Sequence, residues 1–382
     1  PMNPQPPQTR RAFLRIGSYA TVSAIAGSAF LSACGSDADK TAKPADADGA
    51  TKSAEARKLT GTLNFVNFEG WLGANTAAAF TKAFPGADLN QIPIAGTQES
   101  WLPKVKDRRG DYDLALVDGA TIPKLIALDA LASFTAEEVP NATNVDPAFR
   151  NQAWDPDNKY FVATDYGRTG IGYRKDIVTE PITSYADMFA LLPKYSGKVA
   201  VLSRMGSTLG MAMKRLGYSV NSNDPAEVAA ARQLLIDSKK HFLALVDSGS
   251  PSLISGDAVI ALCDDYDVAA ASAENPNIVW VDPTEGMSAY LEGFVALKGP
   301  REDLAKAFIN FQAAPEQNAD FANTLTIAPV VPAAASLIKP EITKSKILFP
   351  PDDVKQRIEF FVARPQEGES LWMKAWDEFR AS

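Results

Sequence analysis

Short apolar runs alternate with stretches of helical periodicity over most of the chain. Residues 63–66 read as a strand and 77–84 as the helix that follows it. Asp113-Leu114-Ala115-Leu116-Val117 is a continuous apolar run suited to a buried strand, with helical spacing again over 122–131. Further strand candidates fall at 161–164, 170–173, 199–202, 258–262, 278–281 and 294–297. Strands alternating with helices predict an α/β fold of βαβ units and mostly parallel sheets. Two helix starts are well marked. Asp224 caps a helix with Pro225 in its first turn, and Glu227 is placed to close a capping box. Pro300-Arg301-Glu302-Asp303 opens another, with Leu304, Ala307, Phe308 and Phe311 on one face. There is no internal repeat and no heptad pattern.

The first stretch departs from this pattern. Thr9-Arg10-Arg11-Ala12-Phe13-Leu14-Arg15 carries twin arginines, and the apolar run 16–33 behind it is softened by Gly17, Ser18, Ser23, Gly27 and Ser28. That run is short and rich in small side chains, which suits an export signal better than a membrane span. Leu31-Ser32-Ala33-Cys34 resembles the lipobox of bacterial lipoproteins, whose cysteine is acylated and becomes the new N-terminus. Residues 1–33 are therefore expected to be a signal peptide and Cys34 a lipidation site. The stretch 34–58, rich in Ala, Asp, Lys, Ser and Gly, is expected to be a disordered tether.

Composition narrows the chemistry. The length of 382 residues suits about two domains. The net charge of -8 argues against nucleic acid, which calls for basic patches. Removal of the signal would take away Arg10, Arg11 and Arg15 and make the remainder still more acidic. With two cysteines and one histidine there is neither a disulfide framework nor a set of zinc ligands. His241 sits in the basic stretch Lys239-Lys240-His241, as a solvated or capping histidine would. No phosphate loop, nucleophile elbow or metal pattern occurs, so no enzyme and no cofactor are expected.

Several segments carry a resemblance. They are Asn67-Phe68-Glu69-Gly70-Trp71, Asp111-Tyr112-Asp113-Leu114, Trp154-Asp155-Pro156-Asp157-Asn158-Lys159-Tyr160, and Thr169-Gly170-Ile171-Gly172-Tyr173. Tyr195-Ser196-Gly197-Lys198-Val199, Leu216-Gly217-Tyr218 with the following run to Pro225, and Glu274-Asn275-Pro276-Asn277-Ile278 continue the series. In order and spacing over 59–361 they resemble the periplasmic polyamine-binding proteins of ABC transporters, the spermidine/putrescine binders. The resemblance implies a two-lobed periplasmic-binding-protein fold of type II, with two hinge crossings and a ligand cleft between the lobes. Lobe one is expected over 59–164 plus 291–333, and lobe two over 165–290 plus 334–382. It also implies a monomer that hands a small solute to ABC permease subunits.

A polyamine site needs carboxylates for ammonium groups and aromatic faces for cation–π contact and methylene packing. By the resemblance, the first loop supplies Phe68, Glu69 and Trp71. The loop after the 258–262 strand supplies Asp264 and Asp265, for which helix capping is the competing role. Tyr290 and Glu292 match the aromatic and acid that clamp an amine. One region departs from the family: Ser203-Arg204-Met205-Gly206-Ser207-Thr208 stands where polyamine binders carry acids. Arg204 would repel an ammonium, and a helix opening at Gly206-Ser207 favours an anion. Arg168 could add a second cation. Two ligands stay open: a zwitterionic amino compound held between Arg204 with Arg168 and the acids, or a small diamine if Arg204 pairs with Asp264 or Asp265. Ferric-ion capture through Tyr266 and its neighbouring acids, and a ligand-sensing lipoprotein of the same fold, are the other readings.

Overall fold

The computed structural model describes residues 59–94, 101–107 and 110–382. The twin-arginine run, Cys34 and the tether lie outside them. Among the described residues ten strands form one mixed sheet: β1 (Gly61–Asn67), β2 (Ala87–Pro93), β3 (Leu114–Asp118), β4 (Val162–Arg174), β5 (Val199–Leu202), β6 (Phe242–Val246), β7 (Ile260–Asp264), β8 (Ile278–Val281), β9 (Met287–Ala296) and β10 (Ile358–Phe360). Their order is β2-β1-β3-β9-β4-β7-β5-β6, with β10 beside β9 and β8 beside β4. The flanks are parallel: β1 pairs with β2 and β3, and β5 with β6 and β7. The centre is antiparallel, because β4 and β9 run against each other and against β7, β8 and β3. A mostly parallel sheet is therefore corrected to parallel flanks around an antiparallel middle.

β4 and β9 hold the key to the site. The sequence pattern suggests two separate strands, 161–164 and 170–173; the structure has one 13-residue strand. Its first part lies against β9, from Val162 opposite Phe294 to Thr169 opposite Ser288. Its last part lies against β7, from Thr169 opposite Asp264 to Tyr173 opposite Ile260. β9 in turn continues to β3, with Glu292 opposite Asp118. Both long strands thus run through both halves of the sheet. In β4, Asp165, Gly167, Arg168 and Thr169 weaken the apolar signal between the two strand candidates, so the pattern breaks although the backbone does not.

The buried side chains form two large clusters. In the first, Phe65, Phe80, Phe294 and Phe308 stack edge to face, with centroids 5.0–5.5 Å apart for Phe80–Phe308, Phe65–Phe294 and Phe294–Phe308. The second is built from Ile171, Tyr185, Met188, Val201, Leu209, Met213 and Leu235, and is closed by the last helix, Gln366–Ala381. That helix buries Trp372 fully, and its indole N–H donates to the Ser222 carbonyl at 2.9 Å. Ala334, Ile338, Ile342 and Leu348, grouped by sequence with the second half, pack in the first cluster.

Local expectations fare unevenly. Asp224 caps the helix Pro225–Ser238 by accepting from the Ala226 and Glu227 N–H groups, but the Glu227 carboxylate accepts from the Ser222 hydroxyl instead of closing a capping box. The helix expected over 122–131 ends at Ala127, and Asp129 behind it takes a left-handed conformation (φ 52°). In the helix Glu302–Gln312 the buried stripe is Leu304, Ala305, Phe308, Ile309 and Gln312, with Ala307 and Phe311 at its margin.

Candidate functional site

Side chains alternate across a strand, so paired residues of β4 and β9 share a face. One face carries Asp165, Gly167 and Thr169 of β4, in register with Glu292, Tyr290 and Ser288 of β9. A bulge between Ala163 and Asp165 sets this register. The other face carries Tyr166 and Arg168. The Tyr290 ring lies directly over Gly167: a Cβ there would sit 2.1 Å from the phenol oxygen and 2.3 Å from Cζ. Glycine is what lets the ring lie flat on β4.

Next along that face, Thr169 Oγ1 donates to Asp264 Oδ1 at 3.2 Å and lies 3.4 Å from Ser207 Oγ. Asp264 ends β7 and is buried. It precedes the helix Asp265–Glu274, yet its carboxylate caps no backbone N–H. Its other oxygen accepts from Arg204 Nη2 at 2.6 Å. The charge on Arg204 is thus taken up within the protein, while its Nε is buried without a hydrogen bond.

Arg168 does not join this face. Its side chain is fully buried and donates to Asp265 Oδ2 (3.1 Å), Asp282 Oδ1 (2.6 Å) and the Ile347 carbonyl, with Trp280 stacked 5.7 Å from the guanidinium. The expectation that Arg168 offers a second cation to an anionic ligand is corrected: strand alternation sends it to the opposite face, where it ties internal acids. Burial pushes the Asp265 pKa up to about 6, against the pull of Arg168.

The loop after β1 is a turn. Asn67 accepts from the Phe68 N–H and donates to the Trp71 carbonyl, and the Trp71 N–H returns to the Phe68 carbonyl at 3.1 Å. Gly70, at φ 76°, supplies the left-handed third position. Glu69 is the outer corner of that turn and is exposed. Trp71 points inward and meets Tyr266 edge to face, with centroids 5.1 Å apart. Phe68 is half-buried against the first core.

One acid on the shared face escapes the sequence pattern. Asp165 is fully buried; its Oδ1 accepts from Thr164 Oγ1 at 2.8 Å, and its Oδ2 has no hydrogen bond of normal geometry. No ion pair among the described residues reaches it. Burial pushes its pKa up to about 7; the Thr164 hydroxyl opposes the rise, the Asp265 and Asp118 carboxylates add to it, and the Trp71 indole N–H opposes it again. The Tyr290 hydroxyl is likewise pushed well above its ordinary range, first by burial and then by Asp264, Tyr266, Asp265 and Glu292. Acids and aromatic rings therefore crowd one face, and both nearby arginines already have internal partners.

The model of the family of bacterial extracellular solute-binding proteins matches residues 75–350. The chain belongs to that family. Its members bind solutes for transport and are not a class of enzymes. This solute-binding protein is 27% identical over 295 residues to the spermidine/putrescine-binding periplasmic protein of Escherichia coli, covering 76% of this chain and 83% of that one. It is 26% identical over 331 residues to a putrescine/cadaverine-binding protein of Pseudomonas aeruginosa, covering 83% and 93%. Among solved structures, the TpPotD lipoprotein of Treponema pallidum superposes with a TM-score of 0.75 at 22% identity, covering 84% of this chain and 100% of that one. The spermidine/putrescine substrate-binding protein PotD of Streptococcus pneumoniae gives 0.73 at 22% identity, covering 84% and 99%. These neighbours carry the two-lobed fold.

In the solute-binding protein, then, Trp71, Ser207, Asp264, Tyr290 and Glu292 come from segments that meet around the β4–β9 face. Asp265 and Arg168 form an ion pair beside it, and Glu69 is turned outward. Asp165 was legible only to a reading that carried β4 through as one strand. Among the described residues, no group of three or more His, Cys, Asp and Glu could hold a metal ion.

Proposed function

We propose that this chain is the substrate-binding component of an ABC importer, that it captures a small diamine or polyamine between two lobes, and that it is not an enzyme. The observation that carries the reading is the charge balance on the β4–β9 face. Asp165, Asp264 and Glu292 gather there with Tyr290 and Trp71, while Arg204 is spent on Asp264 and Arg168 on Asp265 and Asp282. Buried acid without a cation is costly, and an ammonium group relieves that cost. The relatives named for spermidine, putrescine and cadaverine point to the same ligand class.

We take the lobes as 59–164 with 291–348, and 165–290 with 349–382, the boundary moved from 333 because Ala334, Ile338, Ile342 and Leu348 pack in the first core. Trp71 follows β1 and Tyr266 lies on the helix after β7, yet both pack in the first core, so their edge-to-face contact ties the two segments together. A solute touching both lobes favours the closed arrangement over the open one, and the permease recognises closure. The twin arginines and Leu31-Ser32-Ala33-Cys34 support export and a lipid anchor at Cys34, with the binding unit facing the periplasm or the outer face of the cytoplasmic membrane.

One observation favours a second ligand: the unbonded, buried Nε of Arg204 offers a donor to an anionic group, as a zwitterionic amino compound would present. Uptake of labelled putrescine by cells with and without the gene tests the transport role. Loss of uptake on deletion supports it, and unchanged uptake points to a sensing role.

A further inference from the structure

Asp165 differs from Asp264, Asp265 and Asp282, each of which has an arginine partner. Arg204 answers Asp264, and Arg168 answers Asp265 and Asp282. Asp165 has neither an arginine nor a lysine, although its residue is completely buried and one oxygen lacks a hydrogen bond of normal geometry. It sits where β4 crosses between the lobes, on the face shared with Gly167 and Tyr290, opposite Glu292, with the Trp71 indole N–H acting on its carboxylate.

We propose that Asp165 is the anchor for one ammonium group of the solute, and that capture of the amine displaces a proton from its carboxyl. This rests on the reading of the cleft as an amine site. The oxygen without a hydrogen bond of normal geometry, on which only the neutral Trp71 indole N–H acts, is where an ammonium would supply the missing charged partner. An acid this deep, pushed up to about 7, holds a proton part of the time near neutral pH while the site is empty. An ammonium ion favours the carboxylate, so the Oδ–H bond breaks and the proton leaves to buffer. No group is oxidised or reduced.

The charged and titratable neighbours allow this assignment. On β4 itself, Tyr166 and Arg168 lie on the opposite face. β9 contributes Tyr290 and Glu292, β3 ends in Asp118, and the helix Asp265–Glu274 brings Asp265 and Tyr266. The Tyr290 and Tyr166 phenols are held above their ordinary range. Asp265, pushed up to about 6, is neutralised by Arg168 whether or not solute is present. Binding is therefore expected to weaken as pH falls below about 7, the value to which Asp165 is pushed. Sign and window agree: an acid raised in the empty state and lowered by the ligand disfavours binding wherever it is protonated beforehand.

The test is titration calorimetry of the purified protein with putrescine at pH 7, repeated in two buffers of different ionisation heat. The wild type is expected to release a fraction of a proton per putrescine, more at pH 6 and almost none at pH 8.5. Asp165→Asn removes the charge at nearly constant shape; it is expected to lose affinity roughly thirtyfold or more and to abolish the proton release, while melting no lower than the wild type. If the wild type binds putrescine without proton release and Asp165→Asn binds equally well, the anchor is elsewhere and this inference fails, while the amine site stands. If the wild type binds no amine at any pH, the amine reading itself fails. Should Asp165→Asn melt far below the wild type, Asp165→Glu decides: it keeps the charge, so a persisting proton release supports the anchor and its disappearance overturns it.

Discussion

Replacing Arg168 by leucine probes the centre of the fold. The guanidinium holds two carboxylates and the Ile347 carbonyl, and its side chain is 0% exposed. Asp265 is almost as deep, at 4%. Breaking such a pair from one side leaves buried charge without compensation, which costs about 3–5 kcal/mol. The pH dependence identifies the cause. With Arg168 present, burial already pushes Asp265 up to about 6; without the guanidinium its charge and side-chain hydrogen bond are lost, only backbone N–H groups still oppose burial, and the acid rises further. The folded variant then holds a proton that the unfolded chain, near the ordinary aspartate value, gives up. Stability of the variant therefore falls as pH rises, and its deficit against the wild type is expected to be larger at pH 8 than at pH 5 by about 1 kcal/mol or more. Urea unfolding followed by tryptophan fluorescence at both pH values reads both numbers. Adding Asp265→Asn should restore part of the loss, with a coupling of about 1–3 kcal/mol. A deficit below about 1 kcal/mol, or one that does not change with pH, would refute the argument that Arg168 exists to neutralise buried acid.

Three further outcomes are expected. Gly167→Ala puts a methyl where the Tyr290 ring lies, so it should cost about 1–3 kcal/mol by thermal melting and weaken putrescine about tenfold by calorimetry; unchanged affinity would remove Tyr290 from the site. Arg204→Ala frees Asp264, so affinity for a diamine should hold or rise, whereas a fall of about tenfold or more would show that the solute uses Arg204 through an anionic group. Cys34→Ala should move the protein from the membrane to the soluble fraction on cell fractionation; persistence in the membrane would argue against a lipid anchor there.

Most of the α/β pattern was legible because burial writes itself into apolar runs: β5 and β8 fall at 199–202 and 278–281 as the sequence suggests. What failed did so for local physical reasons. β2, with the pattern Ala-Asp-Leu-Asn-Gln-Ile-Pro, is an edge strand of half-exposed polar residues and carries little apolar signal. β4 broke in two because Asp165, Gly167, Arg168 and Thr169 interrupt its hydrophobicity, and this single misreading explains two errors at the site. Residues in the gap between two strand candidates have no assigned face, so Arg168 seemed free to enter the cleft, while Asp165 drew no notice. As one strand, the same residues alternate, placing Asp165, Gly167 and Thr169 together and Arg168 opposite. Glu69 was misplaced because the turn formed by Phe68, Glu69, Gly70 and Trp71 sends its second residue outward, a fact that depends on the Gly70 conformation rather than on composition. The pairing of Arg204 with Asp264, one of the two alternatives the sequence left open, joins β7 to the segment after β5 through the parallel neighbourhood of those strands.

The central claim is that a cationic amine fills the acidic face between the lobes. A thermal-shift screen of the purified protein against putrescine, cadaverine, spermidine and a panel of amino acids tests it most directly. A ligand at about a hundred times its dissociation constant stabilises by about 2.7 kcal/mol, enough to raise the midpoint by several degrees. The account predicts that diamines or polyamines raise the midpoint and amino acids do not. A response confined to amino acids, with none to any amine, would contradict it and return the cleft to a ligand whose anionic end lies on Arg204.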